Sequence, residues 1–385
     1  MATQAQAAID WQKEWFEFED VAYLNLAAQA PLPRAGVRAV QAALEWKKFP
    51  QKLPEDAFMG LPTSVRGKIA KLIGANPAEV AVTTGASSGM AAVANGYGWK
   101  PDDEVLIPRG EFPAHFTTWL PLQDGGRLRV RIVSPSDRFL TTEDVIRAIT
   151  PKTRVLSISH ARFDNAARCD AKKIADAVHA VGGMLLLDTS QTTGAVPMDV
   201  KSLGADFVVC AGYKWTLGPF GTGFFWARPD RIKELRGAPA YWMALENAHD
   251  FSKLSSGEAK LLDAAQRFDA PETSNFFNLA AWDASLDVVL RAGAQVVWEH
   301  NLALIDQLIA RLPLDRCVLA SPADADVRGP YVCVQARKPE RTLELYQKLR
   351  EANVFVALRE GALRVSPYLY NTQRDIDRLI RVLTI

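Results

Sequence analysis

Between about residues 80 and 226, short apolar runs alternate with longer amphipathic ones. The runs VAVTT, EVLIP, LRVRIV, RVLSIS, MLLLD, DFVVC and GTGFFW are rich in β-branched and aromatic residues and separated by turn formers, so each is predicted as a strand. Among the segments between them, AKKIADAVHAVGG places Ile174, Ala177, Val178 and Val181 on one helical face and stops at paired glycines. A helix with one apolar face needs a sheet to cover it, and strands alternating with such helices predict an α/β fold with a mostly parallel sheet wrapped by helices.

After residue 278 the pattern changes. Two long helices, LAAWDASLDVVLRAG and AQVVWEHNLALIDQLIARL, precede strands YVCVQA, VFVALR and ALRVSP, which surround the helix ERTLELYQKLREA; TQRDIDRLIRVL closes the chain as a last helix. This predicts a smaller α+β domain. The segment GAPAYWMALENAHDFSKLSS breaks the alternation and reads as a long ordered loop. The expected division is a large α/β domain over residues 22–278 and a small α+β domain made of 1–21 and 279–385.

Composition narrows the function classes. A chain of 385 residues, 48% hydrophobic, is long enough for two domains with real cores. Its 45 basic and 44 acidic residues leave a formal charge of +1, without the electrostatic footprint expected for nucleic acid or an anionic membrane. Small molecules, or a second copy of the chain, are the expected partners. The opening MATQAQAAIDWQKEWFEFED lacks the apolar core of a secretory signal, and no run approaches ~20 apolar residues, so a cytoplasmic protein is expected. Cys169, Cys210, Cys317 and Cys333 lie far apart and are read as reduced thiols. His115, His160, His179, His249 and His300 show no His–His or His–acid pairing at metal-ligand spacing, so no metal is expected.

The stretch VTTGASSGMA, from Val82 to Ala91, is spelled like the nucleotide-binding turn of a short-chain dehydrogenase. In such a turn the last glycine lets the helix pack closely below a pyrophosphate, but here that position is Ala91. No Tyr-x-x-x-Lys follows Tyr97, Tyr331 or Tyr346, which weighs against an NAD(P)-dependent oxidoreductase. What remains is a strand, a Gly-Ser turn and a helix whose free amides, with the Ser87 hydroxyl, suit a single phosphate.

Two later strands end on chemistry. MLLLD ends at Asp188, and DFVVCA hands over to Gly212, Tyr213 and Lys214. Ligands of α/β sheets bind at the carboxyl ends of strands, so an acid, an amine and a phosphate cup should converge. Taken singly, Asp188 reads as a cap and Lys214 as a surface amine. Together they fit pyridoxal 5′-phosphate, whose aldehyde a lysine of lowered pKa holds as a Schiff base while a carboxylate keeps the ring nitrogen protonated.

With these residues the sequence resembles the class V aminotransferases, fold-type I pyridoxal enzymes that include cysteine desulfurases, kynureninases and isopenicillin-N epimerases. The likeness runs from YLNLAAQAPLP to LRVSPYLYNT, and its most specific parts are DTSQTTGAVPMDV with GADF and GYKWTLGPFGTGFFW. The resemblance implies that Lys214 is the Schiff-base lysine, Asp188 the partner of the ring nitrogen, and Gln191 a donor to the ring hydroxyl oxygen. It implies phosphate contacts from Ala86, Ser87 and Tyr213. Thr273 would reach the phosphate of a neighbouring subunit, hence a homodimer with shared sites. Phe112 stands where desulfurases have a stacking histidine and would sandwich the cofactor, leaving His115 a bystander. Arg364 would clamp the substrate carboxylate, with Arg359 the weaker candidate, and Asn25 to Ala28 would line the substrate side.

The pattern also departs from its relatives. Only four residues separate Arg359 from Arg364, leaving no room for the cysteine-bearing loop on which desulfurases accept sulfur, so that activity is disfavoured. Phe163 stands at a family asparagine, with Asp164 or Asn165 as substitutes and Arg162 either touching substrate or holding Asp164. Tyr241 and Trp242 read as a packed pair, or as a wall for a bulky substrate. The expected activity is transamination or epimerisation of an α-amino acid, with β-elimination as the alternative; a catalytically retired binding protein is disfavoured by the intact lysine, aspartate, glutamine and both substrate-side arginines.

Overall fold

A computed structural model describes residues 10–236, 241–250, 252, 260–273 and 275–384. The first strand, β1 (Ala22–Tyr23), is followed by β2 (Val80–Thr83), β3 (Glu104–Pro108), β4 (Arg129–Val133), β5 (Thr153–Ser159), β6 (Met184–Asp188), β7 (Phe207–Ala211) and β8 (Gly223–Ala227). Strands β2 to β8 correspond to the seven apolar runs and form one sheet in the order β2-β8-β7-β6-β5-β3-β4. Only β8 runs against its neighbours.

The central strands β6 and β7 are buried throughout, as expected of parallel strands covered on both faces. On one face Val82, Leu156, Leu187 and Val208 pack with Ile69, Ile174 and Trp282; on the other, Val155, Leu186 and Val209 pack with Met90, Val93 and Trp119. Helix Ala86–Gly96 lies unusually close to this second face, because a Cβ at Gly89 would stand 2.6 Å from Cγ1 of Val209. The close-packing glycine that a dinucleotide turn would carry two residues later is therefore Gly89. The edge strand β2 is shielded by residues 269–270: Val82 donates to Asp269 Oδ1 (2.8 Å) and accepts from Ala270 (3.0 Å).

The C-terminal part holds β9 (Cys317–Leu319), β10 (Val332–Ala336), β11 (Val354–Phe355), β12 (Ala357–Arg359) and β13 (Ala362–Val365). Four of these make an antiparallel sheet, β12-β13-β10-β9, covered by helices Thr342–Glu351 and Gln373–Leu383. The expected strand VFVALR is split into β11 and β12, and β9 was not anticipated.

Both ends of the expected domain division are displaced. Strand β1 pairs with β11, and Ala22 and Leu24 sit in the C-terminal core, so residue 22 does not open the large domain. Helix Phe276–Ala292 places Leu279, Trp282 and Leu286 in the core of the large sheet, so residue 279 does not open the small one. Its run of apolar residues marks the helix as buried but does not say against which sheet. Of the expected loop over 237–256, the described part holds a 3-10 turn at Trp242–Ala244, and the rest lies outside the described residues. No helix among the described residues is long and apolar enough to cross a membrane.

Asp206, fully buried at the start of β7, ties this frame together. Its Oδ2 accepts from the Leu185 amide (2.7 Å) and pairs with His179 Nε2 (2.8 Å), while Oδ1 meets Arg231 Nε (2.8 Å) and Arg228 Nη2 (3.1 Å). Removing the carboxylate leaves the buried Leu185 amide without its acceptor and releases His179, Arg228 and Arg231, which are partly open to water. Asp206→Ala is expected to lower unfolding free energy by ~3 kcal/mol, read from the urea midpoint against the unaltered protein.

Candidate active site

The carboxyl ends of β2, β3, β5, β6 and β7 open into a cleft of about 210 Å³. Strand order changes direction beside β3, whose neighbours are β4 on one side and β5 on the other, which is where open α/β sheets place ligands. Ala86, Ser87, Phe112, Asp188, Gln191, Tyr213 and Lys214 all line this cleft.

One end is an anion cup. Helix Ala86–Gly96 begins there without a side-chain cap, so its first amides are available, and the exposed Ser87 hydroxyl stands beside them. Thr84 Oγ1 and Ser88 Oγ are hydrogen-bonded at 2.8 Å across the turn. The cup is brought against the sheet by Gly223, where a Cβ would lie 2.5 Å from the Gly85 Cα.

The lysine sits in the turn after β7. Leu217 donates to the Lys214 carbonyl (3.0 Å), Thr216 Oγ1 donates to the Gly212 carbonyl (2.7 Å), and Trp282 Nε1 donates to Thr216 Oγ1 (3.2 Å). Helix Phe276–Ala292 thus holds the lysine turn from below. Burial drives the Lys214 amine from 10.5 down to about 8; Asp188 pulls it upward, and Arg364 adds to the lowering.

Asp188 ends β6 opposite Ser159 of β5 and accepts from the Ser190 amide at 2.7 Å. Burial alone would push its carboxyl up, but His115, Lys214 and Ser190 outweigh that and hold it below the usual range. Gln191 is oriented unambiguously: Trp215 Nε1 can only donate, so Gln191 Oε1 accepts it (3.0 Å), and Nε2 donates to the Ala27 carbonyl at 3.1 Å with a second hydrogen to spare. The Phe112 ring stands edge-on to Phe163 with centroids 5.5 Å apart, and Lys214 Nζ is 5.7 Å from its centroid. Tyr213 stacks on Phe220 at 4.2 Å.

Other expected residues lie outside the cleft of their own chain. Thr273 is buried and donates to the Ala270 carbonyl. Arg364 is 2% exposed, donates to the Phe163 carbonyl (2.9 Å), lies 5.6 Å over the Tyr331 ring and leaves Nε unpartnered. Arg359 is exposed on the hairpin and donates to the Leu358 carbonyl. Asn25, bridged to Ser366, has a buried Oδ1 without a partner, and Ala28 turns back to the Asn25 carbonyl. Phe163 reaches the cleft; Asp164 is held by Arg162 (3.1 Å) and Asn165 by the Ala167 amide (2.9 Å), and neither lines the cleft. Tyr241 and Trp242 do not line the cleft. Tyr241 faces Glu272, and Trp242 stacks on Phe58.

The sequence reading missed two residues. His115, set aside as a bystander, is fully buried with Nε2 3.7 Å from both Asp188 Oδ2 and Glu111 Oε2, so the expectation of no His–acid pairing fails at Glu111 and His115. The signal was present as the four-residue spacing in EFPAH, and as Ser157 and Ser159, two polar positions on one face at the buried carboxyl end of β5.

The comparisons with known proteins agree with this geometry. The family model described as aminotransferase class-V matches residues 22–379. A probable cysteine desulfurase of Methanothermobacter thermautotrophicus is 28% identical over 298 residues, covering 76% of this chain and 72% of that protein. Isopenicillin N epimerase of Streptomyces clavuligerus is 24% identical over 376 residues, covering 93% of each. Among solved structures, a C-DES variant with glycine covalently linked to its PLP cofactor superposes with a TM-score of 0.85 at 19% identity, covering 94% of this chain and 96% of that one. The chain belongs to the class-V aminotransferase family and has the fold of the fold-type I pyridoxal enzymes. Its cofactor is pyridoxal 5′-phosphate, and the residues present suit it: an amine, a carboxylate, an aromatic ring and an anion cup surround one cleft.

A lysine whose amine loses its proton near 8 becomes a nucleophile at lower pH than an ordinary lysine. The rate at which the apoprotein captures pyridoxal phosphate is therefore expected to rise with pH through about 8 and level off above it, followed by the growth of yellow absorbance.

Proposed function

We propose that the protein is a pyridoxal-phosphate transaminase acting on an α-amino acid. The observation that carries this reading is that, among the described residues, one amine lines the cleft: Lys214, of lowered pKa, which shares it with the phosphate cup and Asp188. When bound, the cofactor supplies an electron sink for the charge left on the substrate α-carbon. Lys214 would remove the α-proton and deliver it, on the same face, to the aldehyde-derived carbon of the cofactor instead of back to the α-carbon, a shuttle that needs one base where a two-base epimerase would need a second. Asp188 holds the ring nitrogen, Gln191 donates its spare hydrogen to the ring hydroxyl, and Phe112 covers the ring face. Arg364 does not line the cleft itself, but its Nε has no partner and its charge acts on Lys214, so from beside the cleft, anchored by the Phe163 carbonyl, it would bind the substrate carboxylate.

Persulfide transfer is not supported. The connection from β12 to β13 is a two-residue hairpin in which Glu360 and Gly361 both have positive φ, 45° and 75°, so there is no loop to carry a thiol. Cys317 and Cys333 are buried in the small sheet. The relatives named as desulfurases leave β-elimination from a sulfur-bearing amino acid as the second reading.

A screen of amino acids with keto-acid acceptors, scored for keto-acid formation, solvent deuterium at the α-carbon and release of ammonia or sulfide, separates the outcomes. Keto acid without sulfide or ammonia supports transamination; deuterium with inversion alone supports epimerisation; sulfide supports elimination. Borohydride is expected to fix the cofactor to Lys214, and Lys214→Ala to lower kcat by roughly three orders of magnitude or more. Arg364→Lys is expected to raise KM about tenfold or more with a smaller change in kcat.

We further propose a homodimer in which Thr273 completes the partner's phosphate cup. Thr273→Ala should then weaken cofactor retention without altering the sedimentation mass, while a monomeric wild-type protein with full cofactor affinity would overturn the shared site.

A further inference from the structure

Four buried ionisable side chains run in file toward the floor of the cleft. Arg162 Nη1 is 3.7 Å from Glu111 Oε1, Glu111 Oε2 is 3.7 Å from His115 Nε2, and that nitrogen is 3.7 Å from Asp188 Oδ2. None is more than 7% exposed. Among the described residues no group of His, Cys, Asp and Glu side chains is arranged to suit a metal ion.

Its hydrogen bonds fix the order of the protons. Glu111 accepts from the Ser159 amide (3.1 Å) and from Ser159 Oγ (2.5 Å), which anchors the carboxylate to the end of β5. His115 Nδ1 meets Ser157 Oγ at 2.8 Å, a partner that accepts or donates as required. Nε2 faces carboxylates on two sides and has Ser159 Oγ at 3.4 Å, so Nε2 carries a proton. With His115 charged, the file alternates in sign from Arg162 to Asp188 and sums to zero; with His115 neutral it leaves one uncompensated negative charge in a dry interior. Buried ionic groups seldom add stability over apolar ones of the same shape, so packing gives no reason for this arrangement. It ends on the carboxylate that faces the cleft.

We propose that Glu111 and His115 are positioning residues that keep Asp188 ionised and aimed at the pyridine nitrogen, Glu111 acting through His115. This rests on the reading of Asp188 as the partner of that nitrogen. Burial by itself opposes charge on His115, and Glu111 and Asp188 overcome it. Arg162, the remaining charge that acts on the imidazole, opposes its protonation but is itself compensated by Glu111 and Asp164. Lys214 faces Asp188 from β7. The other titratable neighbours, Cys169 beside Glu111 and Cys210 and Tyr213 beside Asp188, are pushed up by burial and stay neutral. Removing the Glu111 charge makes an imidazolium unfavourable, and the desolvation of Asp188 is then opposed by less positive charge. Asp188 takes up a proton more readily and the ring nitrogen loses its counter-charge.

The test is the ¹⁵N resonance of ring-labelled pyridoxal phosphate in the holoprotein at neutral pH, with kcat and KM measured alongside. Wild type is expected at the pyridinium position. Glu111→Gln, which keeps the shape and one oxygen to accept from the Ser159 amide while its NH2 would donate to Ser159 Oγ, and His115→Gln are each expected to move the resonance most of the way to the unprotonated position. Both should lower kcat by about tenfold or more, with KM changed less than about twofold. Ser157→Ala removes a hydrogen bond from the same ring but no charge, and is expected to leave the nitrogen protonated. A protonated wild type with both charge variants unchanged overturns this inference alone. An equal shift in Ser157→Ala also overturns it, by assigning the effect to packing. A wild type that takes up no cofactor, or holds it with an unprotonated nitrogen, overturns the reading of Asp188 beneath it. Should Glu111→Gln fail to fold, His115→Gln decides the same outcomes.

Discussion

A negative and a positive charge brought out of water at the carboxyl ends of adjacent strands, Asp188 on β6 and Lys214 after β7, are the constraint around which the rest of the structure is arranged. Each is costly to bury alone, because a desolvated ion has lost its hydration and found no substitute. Together, and with His115 and Ser190 on the acid, the aspartate stays charged while the lysine sits near the pH at which it can exchange protons. The parallel sheet makes this possible. Its strand ends all open on one side, and β5, β6 and β7 pair in register, so Ser159, Asp188 and Val209 fall side by side.

Support for that pair comes from outside the large sheet's own strands. Helix Phe276–Ala292, which begins where a second domain was expected, reaches the lysine turn through Trp282 and Thr216. The N-terminal segment, whose strand β1 pairs with β11, returns to the cleft wall where the Ala27 carbonyl receives Gln191 and the Ala30 amide meets the Tyr213 carbonyl at 3.0 Å. Arg364 of β13 meets the Phe163 carbonyl beside the same cleft. The two sheets therefore meet at the site, and movement between them would change the lysine, the glutamine and the arginine together.

The local pattern of the chain was enough to predict the sheet. Strand runs bounded by glycine, proline and aspartate need little tertiary information, because strands covered on both faces, such as β6 and β7, are apolar at nearly every position, and β2 to β8 fall where those runs lie. Lys214, Asp188 and Ser87 were also legible, since each sits at or just past the end of such a run and strand ends of this topology point to one crevice, while Gln191 and Phe112 were legible through the family resemblance. The hairpin of Glu360 and Gly361 was legible as a shortage of residues, a quantity the chain itself supplies.

What the linear order could not convey was which buried surfaces face each other. An apolar helix carries no label for its partner sheet, so Phe276–Ala292 was assigned to the wrong side, and a two-residue strand such as β1 has too little pattern to name its neighbour. Glu111 and His115 sit beneath Asp188 only because β3 and β6 flank β5 and the turn after β3 folds back over Ser157 and Ser159. Sequence by itself determined the fold class, the cofactor and the residues at the strand ends, because those depend on local periodicity and on one topological rule. Tertiary structure alone decided the buried file of charges behind Asp188 and the displaced domain boundaries, because electrostatic coupling and packing depend on distances between segments that the order of residues does not contain.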